Sequence, residues 1–221
     1  MIEKEELPVI ELIEDDFGNL RGIKKVYEQI PKILVTGDTE FFRGDIENFL
    51  KKNSSINVWK QRAPKELSKN MATYQEYNTD YDKDELNKEI NEIGLIIPNG
   101  QYLFHGGLLN FDIGKKIVLD RPLATSLSPG EALFHAKIAG KAYGNEKIEL
   151  LVLLVNDIKT SAMILFQDDA LLLHELEVLF ASGLILSVES KHTICKKFKV
   201  KNVDETDEKE VPVDIIMCEI S

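Results

Sequence analysis

Hydrophobic and polar positions change rhythm once along this chain, near Pro98. Before it, apolar residues recur at helical spacing between polar breaks. DKDELNKEINEIGLIIPNG is the clearest stretch: Leu86, Ile90 and Ile93 lie three or four apart, Asp82 and Glu85 make a capping-box pattern, and Gly94 is a stop signal. The same reading predicts helices over 19–29, 45–52 and 64–77. After Pro98, short runs rich in β-branched and aliphatic residues predict strands at 101–105, 116–119, 148–155, 161–166, 175–180, 184–189, 196–200 and 213–220. One helix interrupts them. Ser128 is its N-cap, Pro129 takes the first helical position, and EALFHAKIAGKAY follows. The acidic run NVDETDEKEV at 202–211 reads as a solvated hairpin connection.

This layout predicts an α+β protein, with a helical part over 1–97 and a β-rich part over 98–221 of a single domain. A length of 221 residues, 43% hydrophobic and 29% charged, fits a soluble globular chain with a full core. The net charge of −11 repels nucleic acid and favours protein or small-molecule partners. Cys195 and Cys218 fall in predicted strands, with no CxxC and no Cys/His cluster. That pattern fits buried thiols of a reducing compartment and does not fit zinc or another metal. MIEKEELP is acidic and unlike a signal peptide, and LLVLLV at 150–155 is strand length rather than membrane length. A cytoplasmic protein without a membrane span is the expectation.

The chemistry concentrates in three places. ELEVLF carries Glu175 and Glu177 two residues apart, so a strand would put both carboxylates on one face among Leu, Val and Phe. An isolated ExE is most simply a solvated strand face, and Glu3-x-Glu5 and Glu208-x-Glu210 share the spacing. This copy differs because its flanks are core-like. FHGG at 104–107 ends a strand with His105, Gly106 and Gly107, and glycines there allow close backbone approach. TSLS at 125–128 brings hydroxyls to a strand end before a helix; its last serine is explained as the cap.

Taken in order, YLFHGG, then LATSLSP leading into a helix, then ELEVLFASG followed by another strand, resemble the ADP-ribosyltransferase family, in its bacterial toxin-like branch. The resemblance covers roughly residues 80–221. It implies N-terminal helices followed by a mostly antiparallel, two-sheet β core, with NAD as co-substrate and no metal. It implies cleavage of the nicotinamide–ribose bond and transfer of ADP-ribose to a macromolecular acceptor, first of all a protein arginine. Glu177 matches the family's invariant glutamate, and Glu175 the first acid of ExE, which orients or deprotonates the acceptor. Thr125 and Ser126 match the second and third positions of S-T-S, supporting the cleft and the glutamate. Gly106 would offer backbone to the nicotinamide amide, Tyr143 an aromatic face in preference to Phe134, and 167–173 the acceptor loop.

Two positions depart from that branch. His105 stands where it has arginine, a substitution typical of the diphtheria-toxin and poly(ADP-ribose) polymerase branch, where the histidine contacts the adenosine ribose. Arg121, Lys137 and Lys141 are candidates to supply the missing cation. Ala124 stands at the first S-T-S position. These departures keep three alternatives open: an inactive binding module on the same fold, an NAD glycohydrolase, and a nucleic-acid ADP-ribosyltransferase. An antitoxin or activating partner fits a phage enzyme, a toxin–antitoxin toxin or an exported effector.

Overall fold

The computed structural model describes residues 7–10, 52–76, 80–108, 112–166 and 176–221. The helix expected at 19–29, nearly all of that at 45–52, the acceptor loop at 167–173 and Glu175 lie outside the described residues.

Three helices come first among the described residues. Helix α1 (Ser54–Arg62) was not foreseen in the pattern; Asn53 caps it, and Ile56 and Trp59 bury its one apolar edge. The Trp59 ring stacks on Phe166 at 6.2 Å, and its indole N–H donates to the Pro8 carbonyl at 2.8 Å. Helix α2 (Lys69–Gln75) is shorter than the expected 64–77, because the Ser68 hydroxyl caps it by accepting from the Met71 N–H. Helix α3 (Lys83–Ile93) starts where Asp82 accepts from the N–H groups of Asp84 and Glu85. Leu86 and Ile90 are buried, but Ile93 is exposed, against its helical spacing. Gly94 ends α3 with extended backbone rather than a left-handed cap. Glycine is required there by proximity, since a Cβ would lie 2.2 Å from the Ile90 carbonyl oxygen.

Eight strands follow: β1 (Tyr102–Gly106), β2 (Lys116–Val118), β3 (Leu123–Ser126), β4 (Ile148–Val155), β5 (Ala162–Leu165), β6 (Glu177–Phe180), β7 (Ile185–Lys201) and β8 (Glu208–Ile220). Their hydrogen-bonded order is β2-β7-β8-β4-β1-β3-β6-β5. All pairs are antiparallel except β4 with β8. The five-stranded and three-stranded parts meet at one registered pair, Phe104 opposite Ser126. Strand β4, IELLVLLV, lies between β8 and β1 and is buried along nearly its whole length, which explains its unbroken apolar run.

Two expectations change. The runs at 184–189 and 196–200 are one long strand, β7, bent by register shifts near Val188, Thr193 and Cys195. The hairpin connection shrinks to 202–207, and the acidic residues after it join β8. There Glu208 and Glu210 pair with Lys199 and Lys197 across the ladder. The helix after Ser128 also breaks. Helix α4 (Pro129–Lys137) gives way to a 3₁₀ turn (Ile138–Gly140), in which Ala139 and Gly140 take φ of 54° and 67°, and then to α5 (Lys141–Asn145). A Cβ on Gly140 would meet Val203 at 2.8 Å, so the break lets the chain pass the β7–β8 turn.

Most buried side chains form one cluster on the sheet; a smaller one joins Met71, Leu86 and Ile90 to Met163, Leu165, Leu179 and Ala181. The smaller cluster docks α2 and α3 on the three-stranded part. Among the described residues no helix is long and apolar enough to cross a membrane.

Candidate active site

Residues opposite one another in an antiparallel ladder project from the same face. Phe104 opposes Ser126, and Ser126 opposes Glu177. Three motifs distant in sequence therefore stand side by side on β1, β3 and β6. Around them opens a cavity of about 230 Å³. His105, Gly106, Thr125, Ser126 and Glu177 all line it.

Glu177 is the first residue of β6 and is buried. Leu176 before it has φ of 47°, a left-handed conformation that costs a bulky residue about 1–3 kcal/mol. Of the strand expected over 175–180, the described part is β6, which begins at Glu177. The Leu176 carbonyl accepts from the Leu127 N–H at 3.1 Å, which ties this turn to the end of β3. The Glu177 carboxylate accepts from the Tyr74 hydroxyl at 2.7 Å. Tyr74 and its neighbour Gln75 come from α2 and form one wall of the cavity. Sequence reasoning missed both, because nothing in TYQEY separates Tyr74 from Tyr77 or Tyr81.

The hydroxyls of β3 are committed inward. Thr125 Oγ1 donates to the Val178 carbonyl at 2.6 Å, bracing β3 on β6. Ser126 Oγ accepts from the Ser128 N–H at 2.9 Å, and Ser128 Oγ in turn accepts from the Glu131 N–H. The TSLS run is therefore both cavity wall and helix start.

His105 Nδ1 lies 2.7 Å from the Ala124 carbonyl oxygen. A carbonyl can only accept, so Nδ1 carries a proton, and when the ring is neutral Nε2 is its acceptor. Burial pushes the imidazole below its ordinary 6.5; the Ala124 bond opposes this, while Arg121, His135 and Lys141 push the same way as burial. Position 105 thus offers a neutral acceptor where the resemblance called for a fixed cation. Ala124, which lacks the expected hydroxyl, supplies its backbone oxygen to this histidine instead.

Basic side chains lie close to His105. His135 and Lys141 line the cavity, and Arg121 acts on His105. Of the three candidate cations, Lys137 points elsewhere: its ammonium sits 5.8 Å from the Phe198 ring, in a separate groove. Gly106 has a packing reason for its identity, because α4 crosses β1 so closely that a Cβ would fall 1.6 Å from the Ala132 carbonyl oxygen.

Tyr143 is not where the resemblance placed it. Its hydroxyl bonds Asp207, and the Lys209 ammonium lies 4.2 Å from its ring, so it fastens α5 to the β7–β8 hairpin, away from the cavity. The break at Ala139–Gly140 redirects it. Phe134, the other aromatic considered, is half-exposed and lines the separate groove. Among the described residues no group of three or more His, Cys, Asp or Glu side chains is arranged to hold a metal.

No family model matches the chain, and no curated protein does. Among solved structures it is similar to the Vis toxin of Vibrio splendidus, an ADP-ribosyltransferase, at 13% identity over 91% of this chain and 87% of that one, with a TM-score of 0.39. It is similar to BECa, an ADP-ribosylating toxin of a C. perfringens binary enterotoxin solved with NADH, at 14% identity over 75% of this chain and 45% of that one, TM-score 0.39. Exoenzyme S of Pseudomonas aeruginosa, solved with 14-3-3 protein beta and carba-NAD, matches at 16% identity over 67% of this chain and 64% of that one, TM-score 0.36.

Proposed function

We propose that this chain is an NAD-dependent mono-ADP-ribosyltransferase, acting through Glu177 and transferring ADP-ribose to a macromolecular acceptor. The observation that carries the proposal is the polarity of one cavity. A buried carboxylate, Glu177, and the Lys141 ammonium line it together, and Arg121 is close enough to act on His105 in the same wall. NAD has that polarity in its reaction: a pyrophosphate carries negative charge, and the ribose carbon becomes cationic as nicotinamide leaves.

The chemistry follows from charge. Departure of nicotinamide makes an oxocarbenium-like sugar. A fixed carboxylate beside it stabilises the transition state more than the ground state, because the positive charge there is still developing. Glu177 is suited to accept from a ribose hydroxyl and to supply that field. Ser126, next to it in register, shapes the wall on which the ribose would rest. His105 Nε2 is suited to accept from a hydroxyl of the adenosine ribose rather than to pair a phosphate. The pyrophosphate contact then passes to Lys141. Glu175 would orient the acceptor or take its proton. A protein arginine is the first acceptor to test; a nucleic-acid acceptor fits the acidic chain less well.

The test is nicotinamide release from NAD by the wild type, Glu177→Ala and Glu175→Ala, with and without cell lysate. Wild-type release that Glu177→Ala abolishes supports the transferase reading. Glu175→Ala should keep hydrolysis and lose labelling of lysate protein. Labelled acceptors would separate transfer from plain NAD hydrolysis. A second reading, a binding module on this fold, draws on Ala124 and on the Thr125 hydroxyl turned to the Val178 carbonyl. Absence of release from the wild type under all conditions would favour it.

A further inference from the structure

We infer that Tyr74 is a positioning residue for Glu177: its hydroxyl fixes the orientation in which β6 presents the carboxylate to the cavity. The inference rests on the reading of Glu177 as the carboxylate that faces the reacting sugar. The contact spans 103 residues of sequence and joins the helical part of the chain to β6.

The placement of Tyr74 is built, not incidental. Ser68 caps α2 and donates from its hydroxyl to Glu89 on α3 at 2.8 Å. Asn70 clamps the start of α3: its amide donates to the Asp82 carbonyl at 2.9 Å, and its carbonyl accepts from the Asp82 N–H at 2.7 Å. Met71 is buried against the cluster that includes Leu179 of β6 and Leu165 of β5. Tyr81 meets the Tyr74 ring edge-on at 5.3 Å with an interplanar angle of 87°. Cap, clamp, apolar contact and ring contact together hold α2 where the Tyr74 hydroxyl meets Glu177.

A carboxylate on a flexible side chain gains catalytic value when its direction is set before the reaction, since reorienting it later would add to the barrier. Tyr74 supplies one neutral donor to one oxygen, Oε1. A carboxylate has about four acceptor sites, so that bond is compatible with a second one to a substrate hydroxyl. The basic side chains lining the cavity, His135 and Lys141, come from α4 and α5, and His105 comes from β1. Tyr74 thus reaches Glu177 from an independent layer.

The experiment compares Tyr74→Phe, which keeps the ring, with Tyr81→Phe, which keeps the edge contact and does not touch Glu177. In steady-state nicotinamide release, Tyr74→Phe should lower kcat roughly tenfold, the loss of one charge-assisted bond, with KM for NAD within about twofold of wild type. Tyr81→Phe should change neither. Unchanged kcat in Tyr74→Phe would overturn the inference, as would a raised KM at unchanged kcat, which would make Tyr74 a substrate contact. If the wild type releases no nicotinamide, the NAD reading fails on its own, and Tyr74 is still tested by carboxyl ¹³C NMR at fixed pH. The Glu177 signal, assigned by its loss in Glu177→Gln, should move in Tyr74→Phe and stay in Tyr81→Phe. A signal unmoved by Tyr74→Phe would overturn the positioning role.

Discussion

The His105 ring is fixed by a bond from its Nδ1–H to the Ala124 carbonyl at 2.7 Å. That contact couples β1 to β3 beside the cavity and sets the tautomer of the ring. Burial holds the imidazole below its ordinary 6.5, against the Ala124 bond and together with Arg121, His135 and Lys141. The unfolded chain therefore takes up a proton at this site before the folded one does as pH falls. Stability linked to His105 is present above 6.5 and is lost as pH falls through the lower folded value. Urea midpoints measured from neutral pH into the acid range should fall, and the fall should be shallower in His105→Gln. Ring-proton NMR should show His105 titrating below 6.5; titration at or above it would refute a buried neutral ring.

Gly106 and Gly107 make a matched pair of tests on the same motif. In Gly106→Ala the new methyl would collide with backbone of α4, the Ala132 carbonyl at 1.6 Å and the Ala136 nitrogen at 2.9 Å. Neither atom can yield without moving the helix. A loss of about 3 kcal/mol or more in chemical unfolding is expected. In Gly107→Ala the methyl meets a side chain instead, His105 Nε2 at 2.6 Å. That substitution should cost stability little and should displace the imidazole, visible as a changed His105 ring resonance. Equal stability loss in both variants would contradict the packing argument.

The contrast between these glycines indicates what was legible in the sequence. Strands β4 and β5, the Ser128 cap and the Asp82 cap all follow from local rules, because each depends on neighbours a few residues away. The cavity row Phe104–Ser126–Glu177 was legible as an order of motifs, and register then aligned them. Three further features depended on distant parts of the chain. Tyr74 reaches Glu177 through a packing of α2 on α3 that no local pattern encodes. Tyr143 was misplaced because IAG reads as helix, whereas Ala139 and Gly140 turn left-handed to pass Val203. The residues 208–211 read as connection and not as strand because their charges were counted without the lysines of β7 that oppose them.

Charge pairing also decides a site away from the cavity. Glu149 and Asp214 oppose each other on the parallel strands β4 and β8, and both are buried. Lys191 bridges them, at 3.0 Å from Glu149 and 2.8 Å from Asp214. Lys147 also holds Glu149, and the Thr193 hydroxyl donates to Asp214 at 2.6 Å. Removing Lys191 leaves two like charges adjacent in a largely desolvated strand pair. Lys191→Met should therefore destabilise the fold by about 3 kcal/mol, the low end for a broken buried pair because Lys147 and Thr193 remain. Adding Asp214→Asn to that variant should recover part of the loss. Strict additivity in the double mutant would mean that the two carboxylates do not couple through Lys191.

Lys141 gives the sharpest test of how the cavity divides a ligand. It lines the same cavity as Glu177 and is close enough to act on His105. Under the proposed function, its ammonium meets the pyrophosphate that an arginine would otherwise hold. Lys141→Gln should then raise KM for NAD about tenfold with little change in kcat, the pattern of an interaction made equally in ground and transition states. Calorimetry with fragments separates the ends: ADP-ribose should bind more weakly to Lys141→Gln, and nicotinamide equally well. Lys137→Gln is the comparison, because Lys137 stands over Phe198 in the separate groove. Raising ionic strength should weaken ADP-ribose binding to the wild type more than to Lys141→Gln, since screening acts on the pair that the variant lacks. Equal salt dependence in the two proteins would place the phosphates elsewhere and return Arg121 as the remaining cation.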